Sequence, residues 1–465
     1  MPVKRAEKTP MPQREATERA SNFLEVNHGY TMEHAFFEAE RCLRCQEPDC
    51  VEGCPVHIPI PDFMHAVSAG DMPRAADLLR TANPLPAICG RVCPQEDQCE
   101  KVCHLDKRFR SVAIGHLERF VADWEREQPL PPLLQPTREE KIAIVGSGPA
   151  GLVCAGELAR KGYPVTIYEG LHGAGGVLRY GIPEFRLPKA ILDWEIEILK
   201  RLGVEIVCNV IVGKTIKLDD LFGKMGFSAV FIATGAGLPT FLGIPGENLN
   251  GVYSANEFLT RINLMRAYQF PEADTPLKVG KRVAVIGAGN TAMDAVRSAL
   301  RMGAEEGLIV YRRSETEMTA RVEEYHHALE EGVKFNWLTN PVEIEGDEDG
   351  WVTGLKLQRM ELGEADASGR ARPVPIEGSE FVFPVDNVVL SIGNSPNPLL
   401  RKTTPGLETN EWGCLVVREG LSQTSRDRVY AGGDAVSGAA TVILAAGAGK
   451  DAAAEIHEDL SGKEG

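Results

Sequence analysis

The sequence predicts an α/β protein: a helical, cysteine-rich N-terminal domain followed by two doubly wound, Rossmann-like domains. Three observations carry this. Eight of the 11 cysteines lie between Cys42 and Cys103. Pro129, Pro131, Pro132 and Pro136 then follow within a few residues, which neither a helix nor a central strand accommodates, so 129–138 is an extended linker. Beyond it, short apolar runs alternate with helical segments, and two glycine-rich strand–turn–helix units occur in succession.

The elements follow in order. Before the linker, 31–44 and 112–127 have the apolar spacing of amphipathic helices. After it, Lys141–Val145 and Val165–Tyr168 read as buried strands with a helix over 150–161 between them. A further strand is expected at 229–232. The pattern restarts at Arg282–Ile286, with a helix to Arg301 and a strand over 308–311. A chain of 465 residues exceeds one core, and 43% hydrophobic with 25% charged residues is the balance of a water-soluble globular protein. A formal charge of −16 argues against nucleic-acid or anionic-membrane surfaces. Neither a signal peptide nor a membrane span is expected, and the reading is cytoplasmic. In a reducing compartment the clustered cysteines point to metal rather than disulfides.

The first glycine loop, Gly146, Ser147, Gly148, Pro149, Ala150 and Gly151, follows a strand and opens a helix, the setting of a dinucleotide fingerprint. Gly146 permits the turn, Gly148 lets the backbone approach a pyrophosphate, and Gly151 lets the helix pack on the strand. Glu169, ending the next strand, is placed to accept from ribose hydroxyls. The second loop, Gly287, Gly289, Asn290, Thr291 and Ala292, has alanine for its third glycine, and its second strand ends in Arg312 and Arg313 rather than an acid. A carboxylate there would repel a 2′-phosphate, whereas guanidiniums pair with it, so this loop predicts NADPH. Two such folds imply two dinucleotides, one a held flavin and the other an exchanging nicotinamide. Gly175 and Gly176, the trio Ala233, Thr234 and Gly235, and the later Gly433 and Asp434 resemble the flavoproteins with two dinucleotide domains. That resemblance implies FAD contacts at the late Gly-Asp pair and at the helix from Thr441. It also implies an FAD domain in two parts, 139–272 and 393–465, with an NADP domain over 273–392 inserted and 1–128 as the separate cysteine domain.

The cysteines run Cys42-x2-Cys45-x4-Cys50-x3-Cys54, then Cys89-x3-Cys93-x4-Cys99-x3-Cys103, with Pro55 and Pro94 following two of them. Such spacings resemble ferredoxin-like cluster ligation. Structural zinc would use similar thiolates but does no redox work. The cysteine array with both glycine loops and the arginine pair resembles the glutamate synthase small-subunit family. That family includes the large subunit of NADH-dependent ferredoxin:NADP oxidoreductase and the N-terminal half of dihydropyrimidine dehydrogenase. The stretches from Tyr180 to Lys189, Ser254 to Arg261 and Met360 to Glu364 look closest to the ferredoxin:NADP oxidoreductase branch. The resemblance implies two 4Fe–4S clusters with a crossed ligand set: Cys42, Cys45, Cys50 and Cys103 on one, and Cys54, Cys93, Cys99 and Glu118 on the other. A plain four-plus-four division would instead make Cys89 a ligand.

Hydride transfer between stacked rings needs orientation rather than an acid or base, so no catalytic side chain is assigned. The absence of a Cys-x-x-Cys after Glu169 argues against a disulfide relay. His57, His326 and His327 read as packing or surface residues. Electrons are expected to pass singly through the clusters to or from a partner protein in a hetero-oligomer. That partner is a glutamate synthase large subunit or a small FAD/2Fe–2S subunit of an electron-bifurcating enzyme. A sulfur or polysulfide reductase is an alternative, and a non-catalytic iron–sulfur assembly protein is an alternative of another class.

Overall fold

A computed structural model of the chain describes residues 6–366 and 369–462. Its N-terminal region packs the helices Met32–Ala39, Ile60–Ser68, Met72–Ala82, Pro86–Val92 and Ile114–Arg126. Thr31 and Asp71 cap two of them, accepting from the amides of His34 (3.3 Å) and Arg74 (3.1 Å). The helix expected over 31–44 stops at Ala39, where the chain turns into the first cysteine loop and Arg44 takes a left-handed conformation (φ 52°). Pro86–Val92 crosses Ile114–Arg126 so closely that a Cβ on Gly90 would lie 2.5 Å from the Arg119 amide nitrogen.

The linker 129–138 carries neither helix nor strand, as its prolines require, and its amides at Leu134 and Thr137 donate to Arg201 (2.7 Å) and Gly162 (2.9 Å). It does not separate two cores. One continuous apolar cluster runs from Phe63, Met64, Ile88 and Leu117 into Ile142, Leu152 and Leu158 of the next unit. The buried carboxylate of Glu195, on the helix Lys189–Arg201, fastens this junction by accepting from the Ala87 amide (2.9 Å) and pairing with Arg80.

The first doubly wound unit has a five-stranded parallel sheet in the order Val429–Ala431, Phe227–Ile232, Lys141–Val145, Val165–Tyr168, Glu205–Val207. Its edge strand arrives from near the end of the chain, after the whole second unit has been traversed. The helices Pro149–Arg160 and Val442–Ser461 lie together on one face.

The second parallel sheet has the order Val252–Ser254, Asn387–Leu390, Arg282–Ile286, Glu306–Val310, Lys334–Asn336. Its edge strand Val252–Ser254 and the helix Ala255–Asn263 precede residue 273, where the sequence suggested that this unit begins; a three-residue strand is too short to show a period. Helices cover only one of its faces. The other is covered by an antiparallel sheet of Thr339–Gly346, Val352–Ala365, Ala371–Pro375 and Phe381–Pro384. Ile344, Leu355 and Leu357 pack against Ala284, Ile286 and Leu308 there. The expectation of helices on both faces missed this sheet, although Val352–Ala365 begins with the alternation of a strand buried on one side.

No helix among the described residues is long and apolar enough to cross a membrane.

Candidate functional site

The first glycine loop turns at Gly146, whose φ of +106° and 2.4 Å clearance to the Ala233 carbonyl oxygen admit no side chain. A Cβ on Gly151 would lie 2.0 Å from the Gly146 oxygen, so the helix Pro149–Arg160 sits directly on the strand that feeds it. Gly148 differs: a Cβ there would meet nothing within 4 Å. It faces open space at the start of a helix with no side-chain cap, so the first-turn amides and the positive end of the helix dipole are presented to whatever approaches. That geometry fits a pyrophosphate. The buried Glu169 carboxylate accepts from the Ser147 amide (3.0 Å), the Ser147 hydroxyl (2.5 Å) and the Leu171 amide (2.8 Å). Ser147 Oγ in turn accepts from the Gly175 amide at 2.9 Å. Glu169 thus anchors the loop as well as facing the cleft.

The second loop repeats the plan. A Cβ on Gly287 would lie 2.2 Å from the Ser391 oxygen, Gly289 precedes an uncapped helix Asn290–Arg301, and Ala292 is fully buried in the place of the third glycine. Asn290 Oδ1 accepts from the Arg321 amide at 2.9 Å. Arg312 is exposed, whereas Arg313 is 6% exposed and its guanidinium is held by Asp366 and the Ala371 carbonyl.

A single cavity of about 500 Å³ connects these parts. Gly146, Ser147, Gly148, Pro149, Ala150, Glu169, Gly176, Ala233, Thr234, Gly235, Asp434 and Thr441 line it from the first unit, and Asn290 and Thr291 from the second. Gly151, Gly175, Gly433, Gly287, Gly289, Ala292, Arg312 and Arg313 do not line it. Burial lifts the Asp434 carboxyl to about 6, and its oxygen accepts from the Ala440 amide (3.3 Å). Thr441 caps its helix by accepting from the Leu444 amide (3.3 Å). Sequence reasoning missed a pair bridging the two units across this cavity. Arg186 Nη1 lies 2.8 Å from both carboxylate oxygens of Asp294, and both residues line the cavity. The sequence separation of 108 residues leaves no local signal for it.

Val92 and Pro94, which flank Cys93, also line the cavity. All described cysteines are free. Mutual influence sorts the eight from Cys42 to Cys103 into two groups, linked by the effect of Cys50 on Cys99. Burial, followed by neighbouring thiols, pushes Cys50 up to about 12, with Cys103, Cys42 and Cys45 as its neighbours. Cys42 and Cys45 are raised the same way, each with Cys103 beside it. In the other group burial lifts Cys54 to about 11, with Glu118 and Cys89 adjacent. Cys99 is raised by burial, Glu100, Cys54, Glu118 and, from the first group, Cys50. Cys93 is raised by a hydrogen bond with Cys89 and by burial, with Glu118 and Cys54 nearby. Glu118 itself, 4% exposed and accepting from Asn83 Nδ2 at 3.0 Å, is lifted by burial to about 8.

Both groups are therefore crowded acidic side chains, and a cationic iron–sulfur core is the kind of partner that relieves such crowding. Among the described residues no three His, Cys, Asp or Glu side chains converge on the single point that one metal ion requires. A four-iron cube spreads its ligands over separate corners. The loop after Cys54 rests on the helix that starts at the cavity: a Cβ on Gly447 would lie 2.8 Å from the Pro55 oxygen, and Lys450 Nζ donates to Val56 (2.7 Å) and Ala82 (2.9 Å).

Comparison with known proteins separates the cysteine region from the two doubly wound units. Residues 19–130 match the family model of dihydropyrimidine dehydrogenase domain II, a 4Fe-4S cluster domain, and residues 140–449 match that of the pyridine nucleotide-disulphide oxidoreductases. The chain is 37% identical to the small chain of NADPH glutamate synthase from Escherichia coli (strain K12) over 443 residues, covering 94% of this chain and 93% of that one. It is 39% identical to the beta subunit of the NADPH-Fe(3+) oxidoreductase of Geobacter sulfurreducens, over 88% of this chain and 63% of that subunit. Among solved structures, FprA from Mycobacterium tuberculosis in complex with NADPH superposes with a TM-score of 0.58 at 23% identity, over 70% of this chain and 86% of that one. Thioredoxin reductase from Lactococcus lactis gives 0.52 at 21% identity, over 70% of this chain and all of that one. These two show the shared fold. The chain is an oxidoreductase that belongs to the pyridine nucleotide-disulphide oxidoreductase family and, within it, to the group of the NADPH glutamate synthase small chain.

Proposed function

We propose that this chain is the hydride-accepting subunit of a larger oxidoreductase. In this reading NADPH binds at the second glycine loop and FAD at the first. Two 4Fe–4S clusters are held by Cys42, Cys45, Cys50 and Cys103 and by Cys54, Cys93, Cys99 and Glu118. The observation that carries the reading is the continuous cavity, which residues of both loops and both sequence neighbours of Cys93 line.

When bound, FAD supplies the exchange between two-electron hydride chemistry and the one-electron chemistry of the clusters. The chain's own residues orient and enclose. The uncapped helix starts at Gly148 and Gly289 would hold the pyrophosphates of FAD and NADPH through their free amides. Glu169 fixes the first loop through Ser147, and the Arg186–Asp294 pair holds the two units together at the cavity. Nothing in the cavity is required to move a proton. Cys89 is the spare thiol of the second group, hydrogen-bonded to Cys93.

The relatives named as small chains or beta subunits favour a partner subunit that exchanges electrons at the cysteine domain, in the manner of a glutamate synthase large subunit or of the small subunit of a bifurcating enzyme. A reducing compartment, the cytoplasm, suits free thiols. The test is purification from the native cell without oxygen, with flavin, iron and sulfide assayed on the intact complex. About eight irons and one FAD per chain, with a second subunit retained, are expected. Zinc in place of iron, or a flavin-free chain, would refute the proposal.

A further inference from the structure

The two arginines that end the strand Glu306–Val310 are placed differently. Arg312 is exposed, and among the described residues it has no ion-pair partner. Arg313 is turned inward, 6% exposed: its Nη2 lies 2.5 Å from Asp366 Oδ2, and its Nε donates to the Ala371 carbonyl at 2.9 Å. Asp366 and Ala371 stand on either side of the tip of the hairpin formed by Val352–Ala365 and Ala371–Pro375, where the Asp366 amide donates to the Arg370 carbonyl (2.8 Å). The backbone around Arg312 is pinned on both sides. Thr339 donates to the Tyr311 carbonyl and Leu338 to that of Arg313, each at 3.0 Å. Ser314 then closes the next turn through its hydroxyl on Glu317 Oε2 (2.6 Å).

We infer that the preference for a 2′-phosphate is set by Arg312 alone, while Arg313 is a positioning residue that latches the antiparallel hairpin beside it. A guanidinium turned inward and paired with a carboxylate and a carbonyl must give up those bonds to reach a phosphate outside, which costs a largely buried ion pair. An exposed guanidinium on a pinned backbone has its donors free and loses less freedom on binding. This rests on the NADPH reading and divides between two residues a role that their shared position at the strand end assigns to both.

The test uses the purified flavin-loaded protein and two probes that undergo no turnover, 2′,5′-ADP and 5′-ADP, with binding measured by calorimetry. Arg312→Ala should weaken 2′,5′-ADP by roughly 10- to 100-fold and leave 5′-ADP unchanged, since one charge-assisted contact is lost. Arg313→Ala and Asp366→Asn should each weaken 2′,5′-ADP by roughly 3- to 10-fold. The double variant should be no worse than either, because both changes open the same latch. Retained 5′-ADP binding in each variant reports an intact fold. Loss in Arg313→Ala as large as in Arg312→Ala, with Asp366→Asn behaving as the parent, would overturn the inference, because Arg313 would then be meeting the phosphate directly. A parent protein that binds both probes equally would overturn the NADPH reading beneath it.

Discussion

Two glycines three residues apart in the first loop should respond to the same substitution in opposite ways. Gly148 has φ −68°, a conformation open to alanine, and its added Cβ would touch nothing within 4 Å. Gly148→Ala should therefore leave the deflavinated fold intact or raise its stability by about 0.4–1 kcal/mol, through the stiffer unfolded chain. The same methyl occupies the space into which a pyrophosphate must come. If it displaces the phosphate from two charge-assisted amide contacts of about 1.5–3 kcal/mol each, FAD affinity falls by roughly 100-fold or more. Gly151→Ala puts its Cβ 2.0 Å from the Gly146 oxygen and 3.3 Å from Ile144, so the helix must lift off its strand. That overpacking costs about 1–3 kcal/mol even without ligand. Thermal melts of deflavinated protein and flavin-fluorescence titration separate the two effects. Gly148→Ala protein that holds FAD as tightly as the parent would refute the assignment of this loop, and a lower melting point in its deflavinated form would refute the geometry.

Other consequences follow from buried charge. Glu331 accepts from Arg297, Arg301 and Arg19, all almost completely buried, so Glu331→Gln should destabilise the second unit by about 3–5 kcal/mol; a melting point within a degree of the parent would contradict this. Acid should unfold the protein in stages. Burial lowers His116 to about 4, so stability present above pH 6.5 falls as the pH drops towards 4; burial opposes ionisation of Glu323 but Arg321 holds it at about 2, so its contribution is present above pH 4.5 and lost towards pH 2. His116→Phe should shrink the first stage, which the buried His327 shares, in denaturant titrations across pH, and an unchanged profile would discount His116. Cys89→Ser should retain about eight irons per chain whereas Glu118→Ala should alter the electron paramagnetic resonance of one cluster; iron loss on Cys89→Ser would favour the four-plus-four division.

The glycine loops could be found in the sequence because a positive φ at Gly146 and a 2.0 Å approach at Gly151 forbid other residues locally, within a few positions. The strands around them were legible for a similar reason: Lys141–Val145 and Arg282–Ile286 are buried almost throughout and read as unbroken apolar runs. Contacts that join distant segments left no such trace. Asp366 lies 53 residues from Arg313, and Arg186 lies 108 from Asp294. Arg19 of the N-terminal segment enters the second unit across 312 residues to reach Glu331. The antiparallel sheet was overlooked because its long strand loses its alternation after Met360, where both faces become exposed. The shared core across the linker was hidden for another reason, since prolines state that a segment is extended but not whether the parts on either side touch.

The account stands on the continuity between the two nucleotide loops and the cysteine domain. Anaerobic titration of the purified protein with substoichiometric NADPH, followed by electron paramagnetic resonance, tests that continuity most directly. The account predicts that reduced iron–sulfur signals grow with each addition, before any partner subunit is supplied. Flavin that bleaches while the iron remains silent, or a protein that does not respond to NADPH at all, would contradict it.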